Sequence, residues 1–292
     1  MTSEPVVRGA TEQDFEEIVR MTATAFGDPS SDWPREHTEH DPNHTADLHR
    51  ICVVDGRIVS AMLIAWHTVH YGSALLKHAG VGDVGTLPDE RHHGYSTMVL
   101  KDAIAHMQRL GAHFSILYTG IQPFYERLGW AILPIEVPRF AFRQREAAAS
   151  DARAWVEDFD ADRHLEGVRA VYNEFNARKT ATTVRESAYW DLRFRRQPRP
   201  PLHSVRPDVL VAGQSDAVGA YAIWHARAGV AEVHEYGWRK GCEEPLRTLF
   251  AETGAGASRG PNSSAASSAR TTTGGRSRAM WGRGPPRSSG ST

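Results

Sequence analysis

Between Val81 and Trp130 the chain alternates strand-like and helix-like runs around one glycine-bearing turn, and this order constrains the fold more than any other feature. Val81 to Thr86 reads as a strand. It is followed by Leu87-Pro88-Asp89-Glu90-Arg91-His92-His93-Gly94-Tyr95-Ser96-Thr97, which runs straight into a long helix from about Tyr95 to Leu110. Leu100, Ala103, Ile104 and Met107 recur at core spacing along that helix, and Gly111 is its stop. Phe114 to Tyr118 then reads as a buried strand, and Phe124 to Leu128 as a short helix ended by Gly129. A strand, a turn with small residues at Gly94 and Ser96, and a helix N-terminus aim consecutive backbone N–H groups at one anion. The ligand this suggests is a phosphate or pyrophosphate. No G-x-x-x-x-G-K-[ST] is present and no G-x-G-x-x-G follows the first strand, which argues against a P-loop nucleotidase and a dinucleotide dehydrogenase.

The flanking sequence keeps the same alternation. Val6 and Val7 begin a short strand, and Thr11 with Asp14 three residues on forms an N-cap. Phe15, Ile18, Val19, Thr22 and Phe26 are expected on one face of the helix that follows. Ile51 to Val54, the turn Asp55-Gly56, and Ile58 to Trp66 read as a hairpin, because Asp-Gly suits the positive φ of a type I′ turn. A last strand ends near Phe142, and the charged, alanine-rich Arg143 to Arg153 reads as a linker. The pattern then restarts: a strand at Val156 to Phe159, a helix bearing Leu165, Val168, Tyr172 and Phe175, and a short helix at Ala188 to Phe194. Val209 to Ala212 and Val218 to Trp224 form a hairpin, with a further strand at Val230 to Tyr236. The expected organisation is a first domain over 1–145, a degenerate second copy over 154–252, and a low-complexity tail over 253–292.

That tail holds six arginines, no acidic residue, nine serines and eight glycines, so it cannot build a core. Its abrupt onset after Glu252 interrupts a helical pattern, as a truncation followed by out-of-frame readthrough would; the alternative is a genuine flexible basic tail. A basic tail without interleaved aromatics is a poor nucleic-acid binder, and a formal charge of −1 gives the whole chain no field favouring nucleic acid or a membrane surface. No apolar run approaches the roughly 20 residues of a membrane span, and no signal segment opens the chain, so the expected location is the cytoplasm. Cys52 and Cys242 are far apart in sequence and suggest neither a disulfide framework nor a zinc site. His37, His40 and His44 lack the spacing of a metal-binding helix, and no metal is expected.

The P-x-x-R-x-x-G-x-S loop, Pro88 to Ser96, together with Phe124-Tyr125-Glu126-Arg127-Leu128-Gly129-Trp130, resembles the GNAT superfamily of N-acetyltransferases. The resemblance implies an α/β (α+β) fold with a mixed, mostly antiparallel sheet flanked by helices, and acetyl-CoA as co-substrate. It implies that Val84, Gly85 and Thr86 pair with the pantetheine arm and that Arg91, His92, His93, Gly94, Tyr95, Ser96 and Thr97 cradle the pyrophosphate. Gly120 and Ile121 would lie beside the thioester. The second half is similar to the middle domain of Eis-type (enhanced intracellular survival) acetyltransferases, through Val171-Tyr172-Asn173, Thr183-Val184-Arg185 and Tyr189-Trp190. That type carries a degenerate second GNAT-like domain, consistent with Gly237-Trp238-Arg239-Lys240-Gly241 lacking the loop pattern. It also carries a sterol-carrier-like third domain that this sequence lacks, and whose terminal carboxylate is the family's proposed base. Thr292 is a poor substitute. Hexamers are expected of the type, though a chain without the third domain is a doubtful candidate for that assembly.

The chemistry implied is attack of a neutral amine on the acetyl thioester, with a small-molecule amine or a protein lysine as acceptor. Tyr125, matching the family's F-Y-x-x-x-G tyrosine, is the candidate acid for the departing thiolate. The base stays open between Asp83, His78 and a solvent relay. Asp28 to Asp47 is an acidic loop in which Trp33 could hold a cationic acceptor. The alternative function is a non-catalytic acyl-CoA-binding regulatory protein.

Overall fold

The computed structural model describes residues 4–133, 154–177, 179–196, 208–227 and 230–259. Within them the chain forms two compact units. The first holds the described residues up to Val69 and from Leu75 to Leu133; the second holds His70–Ala74 and the described residues from Ala154 on. The expected strand ending near Phe142 and the linker Arg143 to Arg153 lie outside the described residues, as does most of the tail.

The first unit is built on a sheet ordered β1-β2-β3-β4-β5. β1 (Val6–Gly9) and β2 (His49–Val54) run antiparallel, with Val7 opposite Cys52. β2 continues antiparallel into β3 (Arg57–Tyr71), with Ile51 opposite Ala61 and a bulge between Cys52 and Val53. Their turn has Asp55 at φ 49 and Gly56 at φ 78, the double left-handed geometry expected from Asp-Gly. β4 (Ala74–Thr86) is longer than the sequence suggested, because Gly72 at φ 58 turns β3 back on a neighbour that begins seven residues earlier than Val81. The crossover helix α3 (Tyr95–Arg109) then brings β5 (Phe114–Ile116) parallel to β4.

Both faces of this sheet are covered, which explains the unbroken apolar run of β3. Ile58 and Ala61 pack with Ile51 against Ile18 and Met21 of α1 (Phe15–Ala25). Val59, Met62 and Ala79 pack against Val99, Leu100, Ala103 and Met107 of α3. Ile104, expected among these, is only partly buried at the margin of the same cluster. α1 is launched by a 3-10 turn, Glu12–Asp14, where the Asp14 carboxylate accepts from the Thr11 N–H at 2.7 Å and hydroxyl at 2.8 Å. Arg8 donates to both oxygens of the same carboxylate, at 2.7 and 2.8 Å. Phe26, expected on the buried face of α1, lies beyond the helix end and is 51% exposed. The acidic stretch after it is not all loop: α2 (Trp33–Glu39) forms there, with Pro34 in the first turn, where a missing N–H costs no hydrogen bond.

The second unit orders its sheet β10-β9-β8-β6. Its elements are β6 (Ala154–Asp158), α5 (Ala161–Asn176), the two-residue β7 (Thr182–Thr183), and α6 (Ser187–Trp190), continued by a π-helical turn over Asp191–Arg196. β8 (Asp208–Gln214), β9 (Ala217–Arg227), β10 (Val230–Trp238) and α7 (Glu243–Arg259) follow. Asp160 caps α5 by accepting from the N–H groups of Asp162 at 2.9 Å and Arg163 at 3.1 Å. Leu165, Val168, Val171 and Tyr172 seal α5 onto Val211 and Tyr221. The boundary expected at Glu252 falls inside α7. Leu249, Phe250 and Ala251 are anchored in the core, and Thr253, itself fully buried, donates its hydroxyl to the Phe250 carbonyl at 2.9 Å, so the helix passes through the change in composition.

Candidate functional site

The two parallel strands of the first unit part company. β4 and β5 pair only over His78–Gly80 opposite Phe114–Ile116; from Val81 to Thr86, β4 has no partner on that side among the described residues. Backbone groups on that side need hydrogen bonds and can take them from a ligand laid along the strand. The strand is distorted where it opens, with Asp83 at φ 55. Gly85 sits where a Cβ would come within 2.9 Å of the Ala25 Cβ, so the last turn of α1 holds this position to glycine. Ser60 donates to the Gly85 carbonyl at 2.8 Å and lies 2.9 Å from the Thr86 hydroxyl, fixing the end of β4 to β3.

The same strand feeds the turn that begins α3. His92 at φ 70 and Gly94 at φ 83 reverse the chain, and Gly94 is the N-cap residue, with no side chain to satisfy the helix. The first bond back into the helix is from the Met98 N–H to the Gly94 carbonyl at 3.1 Å, so the N–H groups of Tyr95, Ser96 and Thr97 have no intrahelical acceptor. No acidic residue occupies the first turn of α3 to compete for them. This end of the helix is an open cluster of donors with the positive pole of the helix dipole behind it. Arg91, expected in the cradle, turns its guanidinium elsewhere: it donates to the Ala25 carbonyl at 2.9 Å and the Thr86 carbonyl at 3.4 Å, bracing the loop against the end of α1. His93 has its Nδ1 3.2 Å from the Glu90 carbonyl and its ring beside Tyr95. Val84 and Thr86 are half-buried on β4, and His92 is exposed.

Gly120 and Ile121 lie in the loop between β5 and α4 (Gln122–Glu126), both exposed, with the Ile121 N–H already donated to Thr119 Oγ1 at 3.0 Å. Tyr125 belongs to α4 and is 9% exposed, its ring edge-on to Phe124 at 5.0 Å and to Trp130 at 6.0 Å. Burial pushes its phenol above the usual value. No hydrogen bond from a described residue engages its hydroxyl. A shallow pocket of about 260 Å³ between the C-terminal half of α3 and Leu128–Trp130 contains none of the predicted site residues.

The structure also builds something the sequence did not bring together. His37 of α2 places its Nδ1 3.1 Å from both carboxylate oxygens of Asp83. Trp33 packs edge-on to His37 at 5.0 Å and to Phe26 at 5.2 Å, and Phe26 in turn reaches the space above Gly85. No periodicity signals a pair 46 residues apart; the only hint was a histidine in a segment whose proline suits a helix start. The acidic stretch is less available to a cation than its composition suggests. Arg35 pairs with Glu16 at 2.9 Å and Asp32 at 3.0 Å, and Asp41 and Asp47 face His67 and His106. His78 is pushed down to about 4 by burial, with His67 adding to the shift, which makes it a weak base. Among the described residues, no group of three or more His, Cys, Asp or Glu is arranged to hold a metal ion, and no helix is long and apolar enough to cross a membrane. Cys52 and Cys242 are both free thiols.

Residues 6–133 match the family model of an acetyltransferase (GNAT) domain. No curated protein matches the chain. Among solved structures, a conserved Enterococcus faecalis protein described as a probable N-acyltransferase is similar, with a TM-score of 0.65 at 17% identity over 89% of this chain and 63% of its own. A GCN5-related N-acetyltransferase from Kribbella flavida gives a TM-score of 0.59 at 21% identity, over 87% of this chain and 62% of its own. Eis1 from Mycobacterium abscessus gives 0.53 at 16% identity, over 84% and 61%. The chain thus spans about three fifths of the length of each of these relatives. The mixed sheet with its parted parallel strands, flanked by helices and followed by a second sheet, is the GNAT fold.

Proposed function

We propose that the first unit transfers an acetyl group from acetyl-CoA to a primary amine. The observation that carries this reading is the conjunction, on one strand, of an unpaired edge from Val81 to Thr86 and an uncapped helix N-terminus at Gly94. An extended amide-bearing arm ending in a diphosphate has the shape and charge for both features at once. Val84, Gly85 and Thr86 pair with the arm, main-chain N–H groups from His92 to Thr97 hold the diphosphate, and Gly120 and Ile121 flank the thioester. Arg91 supports the loop from behind rather than touching the anion. The acceptor is a small-molecule amine or a protein lysine, and the Eis-type arrangement of the whole chain belongs to this proposal.

The amine nitrogen attacks the thioester carbonyl carbon, a tetrahedral intermediate forms, and the C–S bond breaks. Tyr125 donates a hydrogen bond to the departing sulfur. Its raised pKa keeps it protonated over the working range. A thiol near ~8.5 is the stronger acid of the two, so the phenol stabilises the developing thiolate without surrendering its proton completely. Tyr125→Phe is expected to lower kcat about 100-fold while leaving acetyl-CoA affinity unchanged. Calorimetry with acetyl-CoA, followed by release of free thiol on adding an amine panel, tests the reading as a whole. Heat without thiol release would identify a coenzyme-binding protein instead, and no heat would remove the coenzyme altogether.

A further inference from the structure

We infer that His37 is the general base that deprotonates the acceptor amine, with Asp83 as its positioning residue. The inference rests on the acetyl-transfer reading above and adds to it the group that the reading leaves unassigned. Asp83 belongs to the unpaired part of β4, two residues before Gly85, so it lies on the strand proposed to carry the coenzyme arm. Its left-handed backbone, φ 55, turns this residue out of the regular strand alternation. The carboxylate is nine-tenths buried and faces His37 Nδ1 with both oxygens at 3.1 Å. An ionised carboxylate only accepts hydrogen bonds, so it holds the proton on Nδ1 and puts the ring lone pair on Nε2. The imidazolium formed when Nε2 takes a proton is stabilised by the same carboxylate.

The surroundings fit an acceptor amine. Phe26 and Trp33 link Gly85 to His37 as a continuous aromatic wall, with ring contacts at 5.2 and 5.0 Å. Aromatic faces beside a carboxylate attract an ammonium group. Two described residues near the pair in the fold, His49 and Arg35, carry titratable or charged groups. His49 of β2 feels the Asp83 carboxylate, yet burial holds it down at about 4, so it stays neutral and does not compete for that charge. Arg35 of α2 is turned to Glu16 and Asp32.

In the reaction, R–NH3+ gives one proton to His37 Nε2, and the freed nitrogen pair forms the N–C bond to the acetyl carbon. As the C–S bond breaks, the second amine proton leaves nitrogen and ends on the coenzyme sulfur, while His37 returns its proton to solvent. The products are the amide, the free thiol and one proton.

The test compares two acceptors in the full chain. An alkylamine is protonated at neutral pH and needs the base. An alkoxyamine, whose conjugate acid is far stronger, is already neutral and does not. His37→Gln is expected to lower kcat/KM for the alkylamine about 100-fold and to remove the rising limb of its pH profile between about pH 5 and 8, while changing the alkoxyamine rate less than about threefold. Asp83→Asn is tolerated by the left-handed backbone and is expected to shift that limb without abolishing it. Equal losses on both acceptors, or an unchanged pH profile, would overturn the assignment. Acetyl-CoA calorimetry on each variant keeps the two ideas apart. Wild-type protein that binds no coenzyme refutes the acetyl-transfer reading, whereas intact binding and turnover with an unaltered profile in His37→Gln refutes the base alone.

Discussion

The two units contain the same local sequence of events, a strand running through a left-handed glycine into a helix, with opposite results. In the first unit Gly94 caps α3 with no side chain, the first turn is free of acids, and β4 parts from β5 after Gly80. In the second, Gly241 at φ 86 precedes α7, whose first turn carries Glu243 and Glu244; Gly241 donates its N–H to the Glu243 carboxylate at 3.2 Å. The strand before it, β10, is the edge strand of its sheet and pairs with β9 from Val230 to Trp238. The first helix start has neither a side-chain cap nor an acid in its first turn, whereas the second carries two acids there and one of them accepts from the glycine just ahead of the helix.

The largest test of that contrast is in the second unit's interior, where Arg185 is clasped by Glu235, lies 4.0 Å over the Tyr172 ring, and has Tyr221 donating to the same carboxylate at 2.7 Å. Glu235→Ala strands a buried guanidinium and is expected to cost about 3–5 kcal/mol in urea unfolding. Acetyl-CoA affinity should not change; a matching loss of affinity would break the division of labour. Next comes a paired substitution. Gly94→Val forces a β-branched residue into the left-handed region and crowds the approach to the backbone, so affinity for acetyl-CoA should fall tenfold or more, about 1.4 kcal/mol by calorimetry. Gly241→Val carries the same strain and should leave affinity untouched. The smallest effect is at Asp14. Arg8 and Thr11 hold its carboxyl below the usual carboxylate range, so its contribution to stability is fully present above about pH 4 and is lost as pH falls through the depressed value. Asp14→Asn should flatten that acid limb in denaturant midpoints between pH 7 and pH 2, with no change in coenzyme affinity.

Residues whose role is set by their neighbours in sequence were legible beforehand. Asp55-Gly56 specified its turn, Gly111 its helix stop, and Leu100, Ala103 and Met107 needed only helical spacing to find the sheet. The strand, turn and helix around Gly94 were legible because their order is local, whereas the left-handed backbone of Gly94, φ 83, was not read in advance. Arg91 was not: its sequence position places it in the loop, but its guanidinium found carbonyl acceptors at Ala25 and Thr86, a choice made by tertiary packing. Phe26 fitted the helical period of α1 and yet fell beyond its end. The pairing of His37 with Asp83 depends on a seven-residue helix docking beside a distorted strand, and no one-dimensional pattern encodes that meeting. The boundary at Glu252 misled because composition changes there while burial of Leu249, Phe250 and Thr253 does not.

The stretch of β4 from Val81 to Thr86 has one more consequence. A bare row of amides and carbonyls is a template on which another chain's strand can add, and proteins ordinarily guard such rows with charge, proline or cover. On the acetyl-transfer reading, the guard and the guest are one molecule. Purified without acetyl-CoA, the protein should then self-associate more readily on concentration and warming, and adding acetyl-CoA should restore dispersity, so that shelf life itself would report on occupancy of the cleft.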